Sequence, residues 1–86
     1  MTIVYRLVSY DKRTERKAGE LAIPGENLAA IREIAGIQPT DDGLGDYPLN
    51  DDQANNIARL LNTKIDCGAL TYYVEPYDAP VAKNRA

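Results

Sequence analysis

The stretch "ALTYYVEPY", residues 69–77, decides the fold. Leu70, Tyr72 and Val74 alternate in it with Thr71, Tyr73, Glu75 and Tyr77, which is the period of a strand buried on one face. Its aromatic and β-branched residues suit a pleated, half-buried surface. The residues just before it follow a helical period instead. A strand that arrives after helices must pair with strands formed earlier in the chain, so the domain is α+β.

Working back from this strand, "LNDDQANNIARLLN", residues 49–62, carries a complete helix signature. Asn50 caps, Gln53 follows three residues later as in a capping box, and Asn62 closes in the left-handed conformation. Ala54, Ile57, Ala58 and Leu61 form the buried stripe at helical spacing. An earlier helix is predicted over residues 28–35, with Asn27 as its cap, Leu28, Ile31, Ile34 and Ala35 on one side, and Gly36 ending it. Pro24 and Gly25 separate it from what precedes.

At the start of the chain "TIVYRLVS", residues 2–9, alternates with Arg6 outward and Ile3, Tyr5 and Leu7 on the other face. The polar stretch "YDKRTERK" turns the chain, and "AGELAIP" returns as a second strand with Leu21 and Ile23 inward. The order is therefore ββααβ: a three-stranded, mainly antiparallel sheet with two helices packed on one face. Residues 1–78 form one domain, and 79–86 is expected to be a flexible tail without pattern. Either of the first two strands can receive the last. The uncovered sheet face carries Val4, Arg6, Val8, Ala22, Tyr73, Glu75 and Tyr77, a moderately apolar surface of the kind a partner covers.

Composition narrows the function. The hydrophobic fraction of 44% is that of a globular chain, and no apolar run approaches the roughly 18 residues of a membrane span. The start of the chain alternates and holds Arg6, unlike a secretory signal, and the lone Cys67 can form no internal disulfide. A cytoplasmic protein with no membrane partner is expected. The net charge of −3 is uneven: residues 41–78 hold two cations, Arg59 and Lys64, against eight anions. Such a field repels nucleic acid and attracts a basic partner.

The acid is concentrated in "DDGLGDYPLNDD", residues 41–52, with five aspartates. Asp51 and Asp52 fall in a first helical turn, where an anion gains about 0.3–1 kcal/mol from the helix dipole. Asp41, Asp42 and Asp46 neither alternate nor lead to a closing glutamate as a calcium loop requires, so no metal is expected there. They serve either a solvated turn around Gly43 and Gly45 or a partner. With no histidine in the chain the usual catalytic base is missing, and Cys67, next to Asp66, sits where a thiolate is disfavoured. No nucleotide motif or CxxC is present, so no cofactor is expected and the chain reads as a non-enzyme. The six aromatic residues are all tyrosine. Tyr5 and Tyr72 face the core, Tyr10 and Tyr47 fall in loops and are undecided, and Tyr73 and Tyr77, outward on either side of Glu75, are either a contact surface or ordinary edge residues.

The segments "SYDKRTERKAGELAIPGENLAAIREIAGI", "YPLNDDQANNIARLL" and "YYVEPYDA" resemble an uncharacterised family of small bacterial domains over most of residues 5–79. The shared features are a D-K-x-T hairpin tip, PG before the first helix, YPL before the second, and an aromatic last strand with an acidic residue. Domains of this kind are similar to small acidic immunity proteins encoded beside bacterial toxins, including those of contact-dependent growth inhibition. The resemblance implies a non-enzymatic protein that binds and neutralises a basic cognate toxin, with a nuclease as the candidate. The partner-binding candidates are Asp41, Asp42, Asp46, Tyr47, Tyr73, Glu75 and Tyr77. The alternative is a self-associating accessory domain, a homodimer formed through the open sheet face.

Overall fold

The structure is a computed structural model that describes residues 3–78; the tail expected over 79–86 lies outside the described residues. The chain is α+β with two helices and an antiparallel sheet, but the sheet has four strands where three were expected. Strand β1 spans Ile3–Asp11, β2 Lys17–Ile23, β3 Tyr47–Leu49 and β4 Leu70–Asp78; helix α1 spans Leu28–Ala35 and α2 Asp51–Leu60. The order across the sheet is β2-β1-β4-β3. The missed strand is "YPL". Three residues are too few to show alternation, and Pro48, which has no N–H to donate, is admitted only because β3 lies at a sheet edge.

β4 lies beside β1, which settles the order left open by the sequence. Their register pairs Leu7 with Val74, Val8 with Tyr73 and Arg6 with Glu75. On β1's other side, Tyr5 pairs with Ile23 and Leu7 with Leu21. Tyr5, Leu7, Ile23, Tyr72 and Val74 thus line one face and pack against Ile31 of α1 and Ala54 and Ile57 of α2. Ile34 and Leu61, also expected in the core, are half-buried and pack against this cluster. Leu21 departs from expectation: it shares the inner face but is 39% exposed, because β2 is an edge strand and the core stops at Ile23.

The helix termini follow local chemistry. Asn50 and Gln53 make the reciprocal capping box at 2.8 Å in each direction. The Gln53 amide also donates to the Ile34 carbonyl at 3.1 Å, which ties the start of α2 to the end of α1. Gly36 ends α1 at φ 76° and Asn62 follows α2 at φ 55°, the left-handed positions where glycine and asparagine are preferred. Asn27 does not cap with its side chain. A single 3-10 turn, Gly25–Asn27, leads into α1, and the Asn27 N–H donates to the Pro24 carbonyl.

The opposite face is not bare. Val8 is fully buried and Glu75 is 6% exposed, although no helix among the described residues covers them. Tyr10 is the cause: its hydroxyl reaches Glu75, which pairs with Arg6, so the side chain passes over the intervening Val8 position. No helix is long and apolar enough to cross a membrane among the described residues.

Ile57→Ala should destabilise the protein by about 2–5 kcal/mol, the scale for truncating a fully buried side chain. Chemical denaturation measures it, and a loss below about 0.5 kcal/mol would place Ile57 outside the core.

Candidate functional site

The outer sheet face is organised by one carboxylate. Glu75 accepts the Tyr10 hydroxyl at 2.6 Å on Oε2 and the Tyr77 hydroxyl at 2.9 Å on Oε1. The strand register makes this possible, since residues 73, 75 and 77 of β4 share a face with 6, 8 and 10 of β1. Tyr10 also packs edge-on against Tyr73, with ring centroids 5.4 Å apart and planes at 89°. Toward β2, Arg6 donates to Glu20 at 2.7 Å and Lys17 pairs with the same carboxylate. The Arg6 guanidinium lies 4.3 Å from the centre of the Tyr77 ring.

Beside this network is an open groove of about 560 Å³, lined by Tyr10, Asp11, Lys12, Glu15, Asp46, Thr71, Tyr73 and Glu75. Four carboxylates and two phenol rings face one lysine. That lysine is engaged, its ammonium donating to the Cys67 carbonyl at 2.6 Å. Asp46 immediately precedes Tyr47, the β3 residue paired with Val74, and so stands across from Glu75. The site therefore draws on the end of β1 and the hairpin turn, Thr71, Tyr73 and Glu75 of β4, and the residue before β3.

The expected binding residues divide between two places. Asp46, Tyr73, Glu75 and Tyr77 share the outer face. Asp41, Asp42 and Tyr47 belong to a separate, tightly bonded loop. Asp41 accepts the Gly43 N–H at 2.8 Å and the Tyr47 hydroxyl at 2.6 Å, while Asp42 accepts the Leu44 N–H at 3.0 Å. These bonds, the Tyr47 hydroxyl first, hold the Asp41 carboxyl below its ordinary range, and Asp41 in turn pushes the Tyr47 phenol up. The core residue Tyr5 donates to the Gly43 carbonyl at 2.8 Å, giving its buried hydroxyl a partner. Gly43 sits at φ 76°, and a Cβ there would collide with the Tyr5 hydroxyl and approach Arg32 Nη1 to 2.8 Å. The glycine is required by conformation and by space.

Tyr10, Asp11, Glu15 and Thr71 are groove residues that the sequence reading did not select. Extending the alternation of the first strand by one step would have put Tyr10 on the face of Arg6 and Val8. Asp11 and Glu15 are brought in by the turn that closes the hairpin: Asp11 accepts the Arg13 and Thr14 N–H groups, and Glu15 adopts φ 61°. Cys67 is half-buried against the core, and burial first, then Asp51, with a smaller contribution from the adjacent Asp66, pushes its thiol up. Among the described residues, no three acidic or cysteine side chains are grouped to hold a metal ion.

Two outcomes follow from this geometry. The hydrogen bond to Glu75 pushes the Tyr10 phenol up to about 12 and moves Tyr77 in the same direction. Because the folded value of Tyr10 exceeds the ordinary value near 10, its stabilising contribution is whole below about pH 10 and is lost as pH rises toward about 12. Ultraviolet titration should show a late phenolate step near 12 that disappears in Tyr10→Phe; its persistence in that variant would mean the step belongs elsewhere. Gly43→Ala should lose about 1–3 kcal/mol from the left-handed backbone alone, with more from the collision. Adding Tyr5→Phe should recover part of the loss in denaturation, and no recovery would show that the hydroxyl does not crowd this position.

A family described as Domain of unknown function (DUF7683) matches residues 4–75, a span that holds most of β1 and β4, all of β2 and β3, and both helices. No curated protein and no solved structure matches the chain. With the match running over most of its length, the chain belongs to the DUF7683 family.

Proposed function

We propose that this protein is a non-enzymatic, cytoplasmic immunity protein whose uncovered sheet face binds and neutralises a basic cognate toxin. The observation that carries the proposal is the acidic, tyrosine-lined groove on a face that no helix covers among the described residues. A toxin that acts on nucleic acid has a cationic cleft shaped for phosphates, and carboxylates on a folded scaffold can fill it, block substrate and require no chemistry. The uneven charge, eight anions against two cations over residues 41–78, supplies a field that speeds encounter. Tyr73 and Tyr10, held edge to face, supply rigid contact area that loses little freedom on binding.

Long-range charge and short-range contact separate kinetically. Changing Asp41, Asp42 and Asp46 together to Asn keeps side-chain oxygens for the loop turns and removes three charges. Association with the toxin should slow and its salt dependence flatten. Tyr73→Leu should leave association almost unchanged and speed dissociation. Surface-binding kinetics at two salt concentrations, with toxin co-purified from the native locus, measure both. Equal association rates for wild type and the triple variant at low salt would remove steering from the account. Failure of the chain to protect growing cells against that toxin would remove the immunity reading.

Self-association is the second reading; besides the open sheet face, β2, an edge strand among the described residues, carries the exposed Leu21 and offers a route to it. Lys17 and Glu20 on the same strand discourage edge pairing. Sedimentation of the isolated protein separates the readings: a monomer at working concentration sets the dimer aside.

A further inference from the structure

The two tyrosines that flank Glu75 have unequal surroundings. At the Tyr77 end the chain supplies its own cation, with the Arg6 guanidinium over the ring, Lys17 beside it and carboxylates on both sides. The Tyr73 end repeats the parts without the ion. Its ring is steadied edge-on by Tyr10, and Asp46 and Glu75 line the adjoining groove. Among the described residues, no cation lies over the Tyr73 ring. Lys12, the lysine that lines this groove, is turned to the Cys67 carbonyl.

We propose that the Tyr73 side of the groove receives an arginine side chain from a basic protein partner, its guanidinium lying on the Tyr73 ring and its N–H groups donating to Asp46 and Glu75. The inference rests on the reading of this chain as a binder of a basic protein, and names the group recognised. Arginine fits better than lysine for three reasons. Its flat ion stacks on a phenol, it is weakly hydrated, and its N–H groups form a fork that reaches two carboxylates at once. Glu75 retains capacity for this, since a carboxylate offers about four lone-pair directions and the tyrosine hydroxyls use two. The fold already makes the same unit internally at Arg6, Tyr77 and Glu20.

The test is a nuclear magnetic resonance titration of the full chain at low salt with capped Gly-Arg-Gly and Gly-Lys-Gly peptides. The arginine peptide should move the ring signals of Tyr73 and Tyr10 saturably and bind about threefold or more tighter than the lysine peptide. Tyr73→Leu and Asp46→Asn should each weaken it about threefold or more. Equal binding of the two peptides, shifts outside the groove, or indifference to both substitutions would overturn the proposal. If the shifts appear only after Lys83→Ser and Arg85→Ser, the occupant is the chain's own carboxyl-terminal segment and the partner proposal falls. The toxin distinguishes this failure from that of the broader reading. Protection that survives Tyr73→Leu and Asp46→Asn leaves immunity standing and removes the arginine site. Arginine-selective shifts in a chain that protects against no toxin leave the site standing and remove immunity.

Discussion

The register of β1 against β4 is the constraint on which the rest of the molecule depends. Nine residue pairs, from Ile3 with Asp78 to Asp11 with Leu70, fix which side chains meet on each face. The inner face receives Tyr5, Leu7, Tyr72 and Val74, the apolar floor on which Ile31 and Ile57 settle. The outer face receives Arg6, Val8, Tyr10, Tyr73, Glu75 and Tyr77. A slip of one residue would exchange the faces of one strand, put Glu75 under the helices and expose Val74. Core and groove are two consequences of the same pairing.

Glu75 shows how the outer face tolerates burial of an acid without a helix above it. A carboxylate removed from water needs donors, and two tyrosine hydroxyls provide them. The same bonds hold the two phenols in place, so the carboxylate also fixes the aromatic surface around it. The five aspartates of residues 41–52 turn out to have three kinds of work. Asp51 and Asp52 occupy the first turn of α2, Asp41 and Asp42 close the loop that receives the Tyr5 hydroxyl, and Asp46 alone lines the groove.

Much of the fold was legible because it is written in local chemistry. The capping box of α2 is set by Asn50 and Gln53 regardless of what packs nearby, and the end of α1 follows from Gly36. The alternation of residues 70–77 correctly divided the two faces. What the sequence hid was non-local. β3 is three residues long and becomes a strand only because β4 is there to pair with it. Asn27 fits the composition of a cap, yet the preceding 3-10 turn arranges the helix start through the backbone. The site was visible as residue types, acid and tyrosine, but not as a grouping: Tyr47 and Tyr73 lie on opposite faces, and Tyr10 joins Glu75 across 65 positions of sequence. Charge composition suggests only the sign of the partner we propose, while the grouping of Arg6, Tyr10, Tyr73, Glu75 and Tyr77 on one face follows from the strand register.

The central claim is that the uncovered sheet face, and not the helical face, is the binding surface. Chemical-shift mapping of the backbone amides on adding the cognate toxin domain tests it most directly. The account predicts that the changes concentrate at Tyr10, Asp11, Asp46, Thr71 and Tyr73, the rim of the groove. Changes concentrated instead on the exposed sides of α1 and α2, at Ala29, Glu33, Asn55 and Arg59, with the groove residues still, would contradict it.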